Sequence, residues 1–505
     1  MNHPPLSGAP LAVVTVSTAL AVFMNILDTT VANVSIPTIA GNLSVSPNTG
    51  TWVITSYAVC MAIVVPLTGW LARRFGEVRL FVGCTALFSL VSMLCGFAPS
   101  FNTLVALRAL QGMVAGPMIP LSQTLLLRSY PPEKKGMALA FWGMTSVLAP
   151  IVGPTLGGYV TDNFGWPWIF YINAPVGVAS AYVTWSILKE RESPTVRAPI
   201  DAVGLALLVI GVGALQVALD QGRENDWLES SFIVALLVVA FMTLPFFLIW
   251  ERDEQHPVVD LTLFRSRNFT MASLAIALGY GAFFAGIVVF PLWLQTQMGY
   301  TATWAGLASS TLGILTLILT PFVGSHMHRT DLRYLATFAF IVFAVTCFWQ
   351  AQFTTQVSFW DVTTPRFVQG IAMAFFFVPL TTISLAGLPP DRYASAAGVT
   401  NFMRMLTGAF AASLSVTIWD QRNYQHQSHL VESLNPFNPP AWAAVEAIQE
   451  SGLSQEASLR LIAREVARQA VTLATDDIFW LSGWIFASLI FLVWMTRGPF
   501  MTAQR

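Results

Sequence analysis

Apolar runs recur along this chain at a length that suits helices in a membrane. A helix needs about 20 mostly apolar residues to cross the hydrocarbon core of a bilayer. Runs close to that length, separated by polar stretches, extend over most of the chain. They predict fourteen spans, at 11–36, 51–71, 80–98, 102–127, 136–160, 167–188, 202–220, 231–250, 270–294, 303–323, 333–351, 364–386, 395–419 and 478–496. The pattern therefore predicts an all-α membrane protein.

The polar stretches between the spans differ in their content of Lys and Arg. Those after even-numbered spans, together with the C-terminal tail, contain Arg73, Arg74, Arg79, Arg128, Lys134, Lys135, Lys189, Arg191, Arg197, Arg252, Arg265, Arg267, Arg329, Arg333, Arg392, Arg497 and Arg505. The short stretches after odd-numbered spans contain only Arg223. Because cytoplasmic loops collect Lys and Arg, this alternation predicts that both termini lie in the cytoplasm.

One polar segment does not follow this alternation. Residues 420–477, after span 13, form a long segment of mixed charge on the predicted outer face, where long translocated loops escape the charge rule. A helix is predicted after Ser454, since apolar residues from Leu461 to Leu473 recur at helical spacing. Two interpretations of this extracytoplasmic loop remain open: it packs on its own bundle, or it is a docking surface for a partner.

An internal repeat divides the chain. The pattern R-x-x-Q-G begins span 4 at Arg108 and span 12 at Arg366, and in both places Pro-Leu and then a double proline follow. Two six-span halves related by an axis along the membrane normal are a known transporter architecture. The predicted division is an N-terminal six-helix bundle at 1–190, a linker with two extra transmembrane helices at 191–268, and a C-terminal six-helix bundle at 269–505.

Composition supports a membrane protein and argues against several other classes. Apolar residues make up 55% of the 505 residues and charged residues 10%, whereas a soluble domain has about 25% charged residues. The net charge of −1 gives no reason to expect a nucleic-acid partner. The four cysteines lie in apolar runs, and neither H-E-x-x-H nor G-x-x-x-x-G-K-[ST] occurs. We therefore expect no metal site, no enzymatic centre and no direct use of ATP. A sensor or a channel remains the alternative to a carrier.

A carboxyl group lies inside the first apolar run. Asp28 is followed by apolar sequence as far as Ile36, and a charged residue at the bilayer centre costs roughly 2.5 to 3.5 kcal/mol on insertion scales. Such residues usually face an interior cavity and often handle protons or ions. The alternative is that Asp28 lies near the helix end and reaches interfacial water.

Four motifs in the first half point to one transporter family. They are L-D-T-T-V-A-N-V-S-I-P from Leu27, G-W-L-A-R-R-F-G-E-V-R from Gly69, the region 104–116 around Arg108, and A-P-I-V-G-P-T-L-G-G from Ala149. With these motifs the chain resembles the major facilitator superfamily, and within it the fourteen-span drug:proton antiporters of the EmrB type. The resemblance implies the major facilitator fold, with two six-helix bundles and two inserted helices, and no cofactor beyond a proton gradient.

The resemblance also implies roles for individual residues. Asp28 and Arg108 are expected to take part in proton coupling. The residues expected to serve conformational change are Gly69, Arg73, Arg74, Gly76, Gly153, Pro154, Gly157 and Gly158. The family pattern has an Asp where Arg73 stands, which puts a carboxylate-based gate at that loop in doubt. The span-5 motif is typical of exporters, whereas a further familiar stretch, 168–177, is interpreted as structural.

Polar and aromatic residues inside the spans are candidates for substrate binding. An apolar, aromatic-lined cavity with few polar groups suits amphipathic organic molecules, and aromatic faces can hold cations. The candidates are Asn33, Gln111, Trp142, Tyr280, Phe283, Phe284, Phe376, Asn401 and Arg404. Arg404 lies inside span 13, where it either pairs with an acid or binds an anionic substrate.

These features predict a proton-coupled antiporter that exports hydrophobic or amphipathic toxic compounds. Such a multidrug efflux protein would lie in the bacterial inner membrane and contribute to antibiotic resistance. The alternative is a dedicated exporter of an endogenous metabolite, lipid or fatty acid on the same scaffold. The resemblance further implies a tripartite efflux assembly with a periplasmic adaptor protein and an outer-membrane channel.

Overall fold

The computed structural model describes residues 5–196, 199, 201–255, 257–327, 330–432, 443 and 454–500. Three members of the basic set, Arg197, Arg329 and Arg505, lie outside the described residues, as does most of 433–453. Within the described residues the regular secondary structure is helical, without strands. The α-helices are α1 (Gly8–Asn42), α2 (Pro47–Gly50), α3 (Trp52–Val64), α4 (Thr68–Phe75), α5 (Glu77–Gly96), α6 (Phe101–Ala115), α7 (Met118–Ser129), α8 (Lys135–Phe164), α9 (Trp168–Tyr171), α10 (Asn173–Leu188), α11 (Ala202–Gln221), α12 (Ser231–Asp253), α13 (Arg267–Thr296), α14 (Ala302–His326), α15 (Leu332–Gln350), α16 (Phe359–Leu385), α17 (Tyr393–Glu432) and α18 (Gln455–Trp494).

Each predicted span coincides with a helical segment, so the all-α prediction is confirmed. Of the described helical segments, 11 are long and apolar enough to cross a membrane, and two bent pairs raise the number to 13. The bends are 64° between α3 and α4 and 50° within α8. Pro66 and Pro154 lie at these bends, where proline removes a backbone donor and bends a helix. The remaining predicted span corresponds to α9 and α10, of 4 and 16 residues.

Helices pack on one another within each predicted half, and α8 of the first half also packs on α14 of the second. In the N-terminal half, α1 packs on α8 and α10, and α3 packs on α6. In the C-terminal half, α13 packs on α17 and α18, and α14 packs on α16. The inserted helices α11 and α12 pack on each other, and α11 also contacts α3 and α17. The insertion thus lies against a seam between the two halves.

Within the segment predicted as a long outer loop, the described residues are largely helical. Helix α17 continues to Glu432, and α18 begins at Gln455 and runs without a break into the last predicted span. The predicted helix after Ser454 is present, with the Ser454 hydroxyl accepting a hydrogen bond from the Ala457 amide. Both helices extend past their apolar sections because polar side chains join them: Asp477 accepts from Arg422 at 2.6 Å and contacts His426 at 2.7 Å. A charged surface segment can therefore be helical when its partner helix supplies matching charges.

Candidate functional site

A buried ion pair joins α1 to α6. Asp28 and Arg108 have 1% and 0% of their side-chain surface exposed, and Arg108 Nη1 lies 2.5 Å from Asp28 Oδ2. The Arg108 guanidinium also donates to Gln111 Oε1 at 2.7 Å and to the Val53 carbonyl at 3.0 Å. Neither side chain is exposed to water in this conformation, so the alternative in which Asp28 reaches interfacial water does not apply.

Two amide side chains complete the environment of Asp28. Its second oxygen, Oδ1, accepts from Asn173 at 2.8 Å and from Gln111 at 3.2 Å. Asn173 belongs to the stretch 168–177, which sequence reasoning assigned a structural role only. An amide side chain within an otherwise apolar stretch was the signal that could have identified it, since buried polar groups are nearly always hydrogen-bonded.

This arrangement can respond to a single proton. A buried ion pair is stable only while both charges are present, because removing one leaves the other uncompensated. Arginine does not lose its proton in proteins, so Asp28 is the member of the pair that can be neutralised. Protonation of Asp28 would remove the charge that holds Arg108.

Glycines bring the neighbouring helices close to this pair. A Cβ at Gly112 would collide with the Tyr57 carbonyl, so α6 packs directly against the backbone of α3. The Arg108 guanidinium lies 4.2 Å from the Tyr57 ring centroid, a cation–π distance. Close backbone packing therefore contributes to fixing the position of the guanidinium.

The span-5 motif packs on the same part of α1. A Cβ at Gly153 would collide with Thr30, and one at Gly157 would lie 2.9 Å from the Cα atom of Val31. These two α1 residues directly follow the Asp28–Thr29 dipeptide. Small residues allow such close helix packing, so a change in the bend of α8 would act on α1 beside the acid.

Two further residues of the span-5 motif were predicted to serve conformational change, Gly158 and Pro154. Gly158 lines a cavity between the two halves. Pro154 lies between the two bent segments of α8, Lys135–Pro150 and Thr155–Phe164.

The loop motif after span 2 contains two close backbone approaches. A Cβ at Gly69 would collide with Ser395 of α17, in the other half. Gly76 has φ +91°, and a Cβ there would meet the Glu192 carboxylate. Only glycine adopts such a φ without strain. Gly69 therefore contributes to the interface between the halves, and Gly76 to the turn before α5.

Carboxylates are present at this loop, although Arg73 replaces the Asp of the family pattern. Glu192 accepts hydrogen bonds from the backbone amides of Val78 and Arg79, at 3.0 and 2.8 Å, and so caps α5. Glu77 pairs with Arg128 at 2.9 Å. The sequence did not reveal Glu192 because it lies more than a hundred residues further along the chain.

The two arginines of this loop motif have different surroundings. Arg73 is exposed, and its carbonyl accepts from the Val196 amide at 2.8 Å. Arg74 lies over the Trp70 ring at 5.6 Å.

Arg404 lies among aromatic rings from both halves. Its guanidinium is 5.2 Å from the ring centroid of Tyr280, 5.5 Å from that of Trp142 and 5.6 Å from that of Phe377. In the described part of the chain Arg404 forms no ion pair within 4.0 Å. Phe377 was not among the predicted residues, although it follows the predicted Phe376.

Three further candidates lie near this cluster. Phe284 stacks on Tyr280 with ring centroids 5.6 Å apart. Tyr280 and Phe283 line a cavity of about 780 Å³. Helices α1 and α8 of one half and α13, α14 and α16 of the other form its wall. The structure therefore brings Trp142, Tyr280, Phe283, Phe284 and Arg404 into one region.

The other predicted substrate-binding residues lie outside this region. The Gln111 side chain belongs to the Asp28 network. Phe376 packs in the core of the C-terminal half, and Asn401 donates to Gln123 at 3.4 Å across the interface of the halves. Asn33 is exposed and is not among the residues that line the cavity.

The two halves contact each other at the end of the bundle that carries the basic loops. A Cβ at Gly136 would collide with the Gly324 carbonyl, the Lys135 ammonium lies 5.7 Å from the Tyr393 ring centroid, and Arg128 donates to the Pro390 carbonyl at 3.1 Å. The cavity is lined instead by residues towards the opposite ends of α1, α8, α13 and α14. This conformation therefore keeps the halves closed at the basic end.

Comparisons with known proteins agree with this architecture. Residues 18–412 match the family model of the Major Facilitator Superfamily. Multidrug export protein EmrB of Escherichia coli K12 is 50% identical over 497 residues, 98% of this chain and 97% of that protein. Fatty acid resistance protein FarB of Neisseria gonorrhoeae is 45% identical over 500 residues, 99% of each. The crystal structure of the human organic anion transporter MFSD10 (TETRAN) superposes with a TM-score of 0.58 at 13% identity, covering 96% of this chain and 100% of that one, a likeness of fold.

Proposed function

The chain belongs to the Major Facilitator Superfamily and is a multi-pass membrane transporter, and we propose that it exports hydrophobic and amphipathic toxic compounds in exchange for protons. The EmrB relative, a multidrug export protein with 50% sequence identity to this chain, supports export as the direction of transport and a broad range of cargo. The buried Asp28–Arg108 pair is the observation that supports the proton as the coupling ion, because the attraction within the pair depends on whether Asp28 carries a proton.

The proposed cycle links the charge of Asp28 to the packing of the two halves. With Asp28 ionised, the pair with Arg108 holds α1 against α6. A proton arriving at Asp28 neutralises it and weakens that attachment, and the Gly153 and Gly157 contacts transmit the change to α8. Cargo would bind between the halves, in the aromatic region around Arg404 and in the cavity that adjoins it at Tyr280. Such alternating access by movement of one half against the other is common among transporters with internal repeats.

We place the protein in the inner membrane with both termini in the cytoplasm. The basic loops then face the cytoplasm, so the contact between the halves closes that side and the cavity lies towards the outer side. The extended ends of α17 and α18 project on the outer side in this orientation. We assign them to contact with a periplasmic adaptor protein that leads to an outer-membrane channel.

The decisive experiment measures dye efflux from proteoliposomes under an imposed pH gradient. Asp28→Asn keeps the volume of the side chain and removes its ability to exchange a proton, so gradient-driven efflux should fall to the level of empty liposomes. Asp226→Asn, on a connecting segment between α11 and α12, is the matched control and should behave as wild type. Undiminished gradient-driven efflux by Asp28→Asn would reject Asp28 as the coupling site.

A second candidate function is the dedicated export of one endogenous acid, lipid or fatty acid. The aromatic-caged Arg404, which forms no ion pair within the described residues, favours it, as does the 45% identity to a fatty acid resistance protein. A substrate panel distinguishes the two. Efflux of a single acid without efflux of dyes supports the dedicated exporter, whereas efflux of several unrelated compounds supports the multidrug function.

A further inference from the structure

The C-terminal half contains a second buried arginine in the same setting as Arg108. Arg366 donates to Gln369 at 3.1 Å, as Arg108 does to Gln111 at 2.7 Å. Each guanidinium lies 4.2 Å from the centroid of an aromatic ring, Phe290 in one case and Tyr57 in the other.

The surrounding contacts repeat as well. Gln369 contacts the sulfur of Cys347, and Gln111 that of Cys95. A Cβ at Gly370 would collide with a backbone carbonyl of the neighbouring helix, as it would at Gly112. The repeat is therefore structural and extends to individual side-chain contacts.

The two sites differ chiefly in the acid. The separation in sequence between Arg108 and Arg366 equals that between Asp28 and Gly286. Arg366 Nη2 donates to the Gly286 carbonyl at 2.7 Å, at the place where Arg108 meets a carboxylate. A glycine without a side chain thus occupies the position of the acid.

Arg366 carries a charge that no described acid neutralises. Its surface is 3% exposed, its Nε has no hydrogen-bond partner among the described residues, and it forms no ion pair there. Burying an unpaired charge is costly, so a guanidinium in this environment favours a negatively charged partner from outside the chain.

Arg366 also lines the cavity between the halves. The cavity volume of about 780 Å³ falls within the range of roughly 300 to 1,000 Å³ that is typical of small-molecule sites. Apolar and aromatic side chains, including Phe283, Ile287 and Met373, form much of the remaining lining. Asp162 also lines the cavity but is exposed, so water and salt screen its charge.

We infer that Arg366 binds the anionic head group of an amphiphilic carboxylate, with the apolar tail among the aromatic side chains of the cavity. The carboxylate of the cargo takes the place in the C-terminal half that Asp28 holds in the N-terminal half. This inference deepens the proposed export function by assigning a class of cargo to a particular site. It is tested by equilibrium binding without a gradient, which requires no transport, so its failure can be distinguished from a failure of the proposed proton-coupled export.

The test uses decanoate as the probe, with decanol and decyltrimethylammonium as neutral and cationic molecules of the same chain length. Calorimetric titration of the full chain in phosphatidylcholine nanodiscs should show decanoate binding at least tenfold more tightly than either control. Equal affinity for decanoate and decanol would overturn the inference.

Gly286→Asp tests the site itself. A Cβ at residue 286 lies 3.6 Å from Arg366 Nη2, so the new carboxylate should pair with Arg366 and abolish the preference for decanoate. Gly286→Ala is the steric control, since its methyl meets the Phe479 ring at 3.3 Å and adds no charge. It should retain the preference.

Two measurements keep these outcomes interpretable. Decanol binding equal to that of wild type shows that the Gly286→Asp variant is folded, and a retained decanoate preference in that folded variant would overturn the inference. A second set of nanodiscs contains phosphatidylglycerol. Loss of decanoate binding there in wild type would assign the site to a lipid head group and would overturn the cargo assignment.

Discussion

Arg108 and Arg366 should respond differently to the same substitution. Arg108→Met and Arg366→Met each remove a guanidinium that is enclosed by an aromatic ring, a glutamine and a backbone carbonyl. The losses of packing and of neutral hydrogen bonds are therefore similar. The variants differ chiefly in what remains, because only Arg108→Met leaves a buried acid, Asp28, without its partner.

The magnitude follows from the desolvation of charge. Removing one partner of a buried ion pair typically destabilises a protein by about 3 to 5 kcal/mol. Replacing an unpaired buried charge by an apolar side chain removes its desolvation cost, so Arg366→Met should be neutral or stabilising by about 1 kcal/mol. We expect a difference of at least about 3 kcal/mol between the two variants.

The assay is unfolding of the purified protein in mixed micelles of dodecyl maltoside and SDS, followed by circular dichroism. The double variant Asp28→Asn/Arg108→Met provides the control, because removing both charges should recover part of the loss seen in Arg108→Met. Equal destabilisation by Arg108→Met and Arg366→Met would refute the reasoning, since it would mean that the acid does not distinguish the sites.

Two further predictions concern the helices that surround Asp28. Gly153→Ala should lower dye efflux from proteoliposomes several-fold, because its methyl would collide with Thr30. The control Gly83→Ala has open space around the added methyl and should leave efflux unchanged. Equal efflux rates in both variants would show that the contact between Gly153 and Thr30 does not matter. Asn173→Leu removes a hydrogen bond to the Asp28 carboxylate of a kind worth about 1.5 to 3 kcal/mol, so it should impair gradient-driven efflux while dye binding is retained. Wild-type efflux by that variant would contradict a role of this amide in coupling.

The sequence predicted the features of this fold that depend on chain length and composition. The positions of the spans follow from the thickness of the bilayer and the lengths of the apolar runs. The equivalence of Arg108 and Arg366 followed from a repeated pattern, and the side-chain contacts agree with it. Such features are local or repeated, so a single sequence contains them.

The contacts that complete the sites could not be predicted in this way. Asn173 approaches Asp28 from a helix far along the chain, and Glu192 caps α5 from the segment after α10. Each depends on how distant helices pack, which hydropathy does not encode. The equivalence of Asp28 and Gly286 could not be predicted either, because nothing in the apolar run indicates that the carbonyl of this glycine contacts Arg366.

Helix α8 packs beside the Asp28 site and lines the cavity that contains Arg366. Its Gly157 packs on Val31, one turn from Asp28 in α1. Its Thr155 and Gly158 line the cavity that also contains Arg366. In the proposed scheme a proton acts at the Asp28 site and an anionic cargo acts at the Arg366 site. The bent helix α8 connects the two sites. Thermodynamic coupling between two sites is reciprocal, so a cargo carboxylate that shifts α8 must alter the proton affinity of Asp28 by the same factor by which the proton alters cargo affinity.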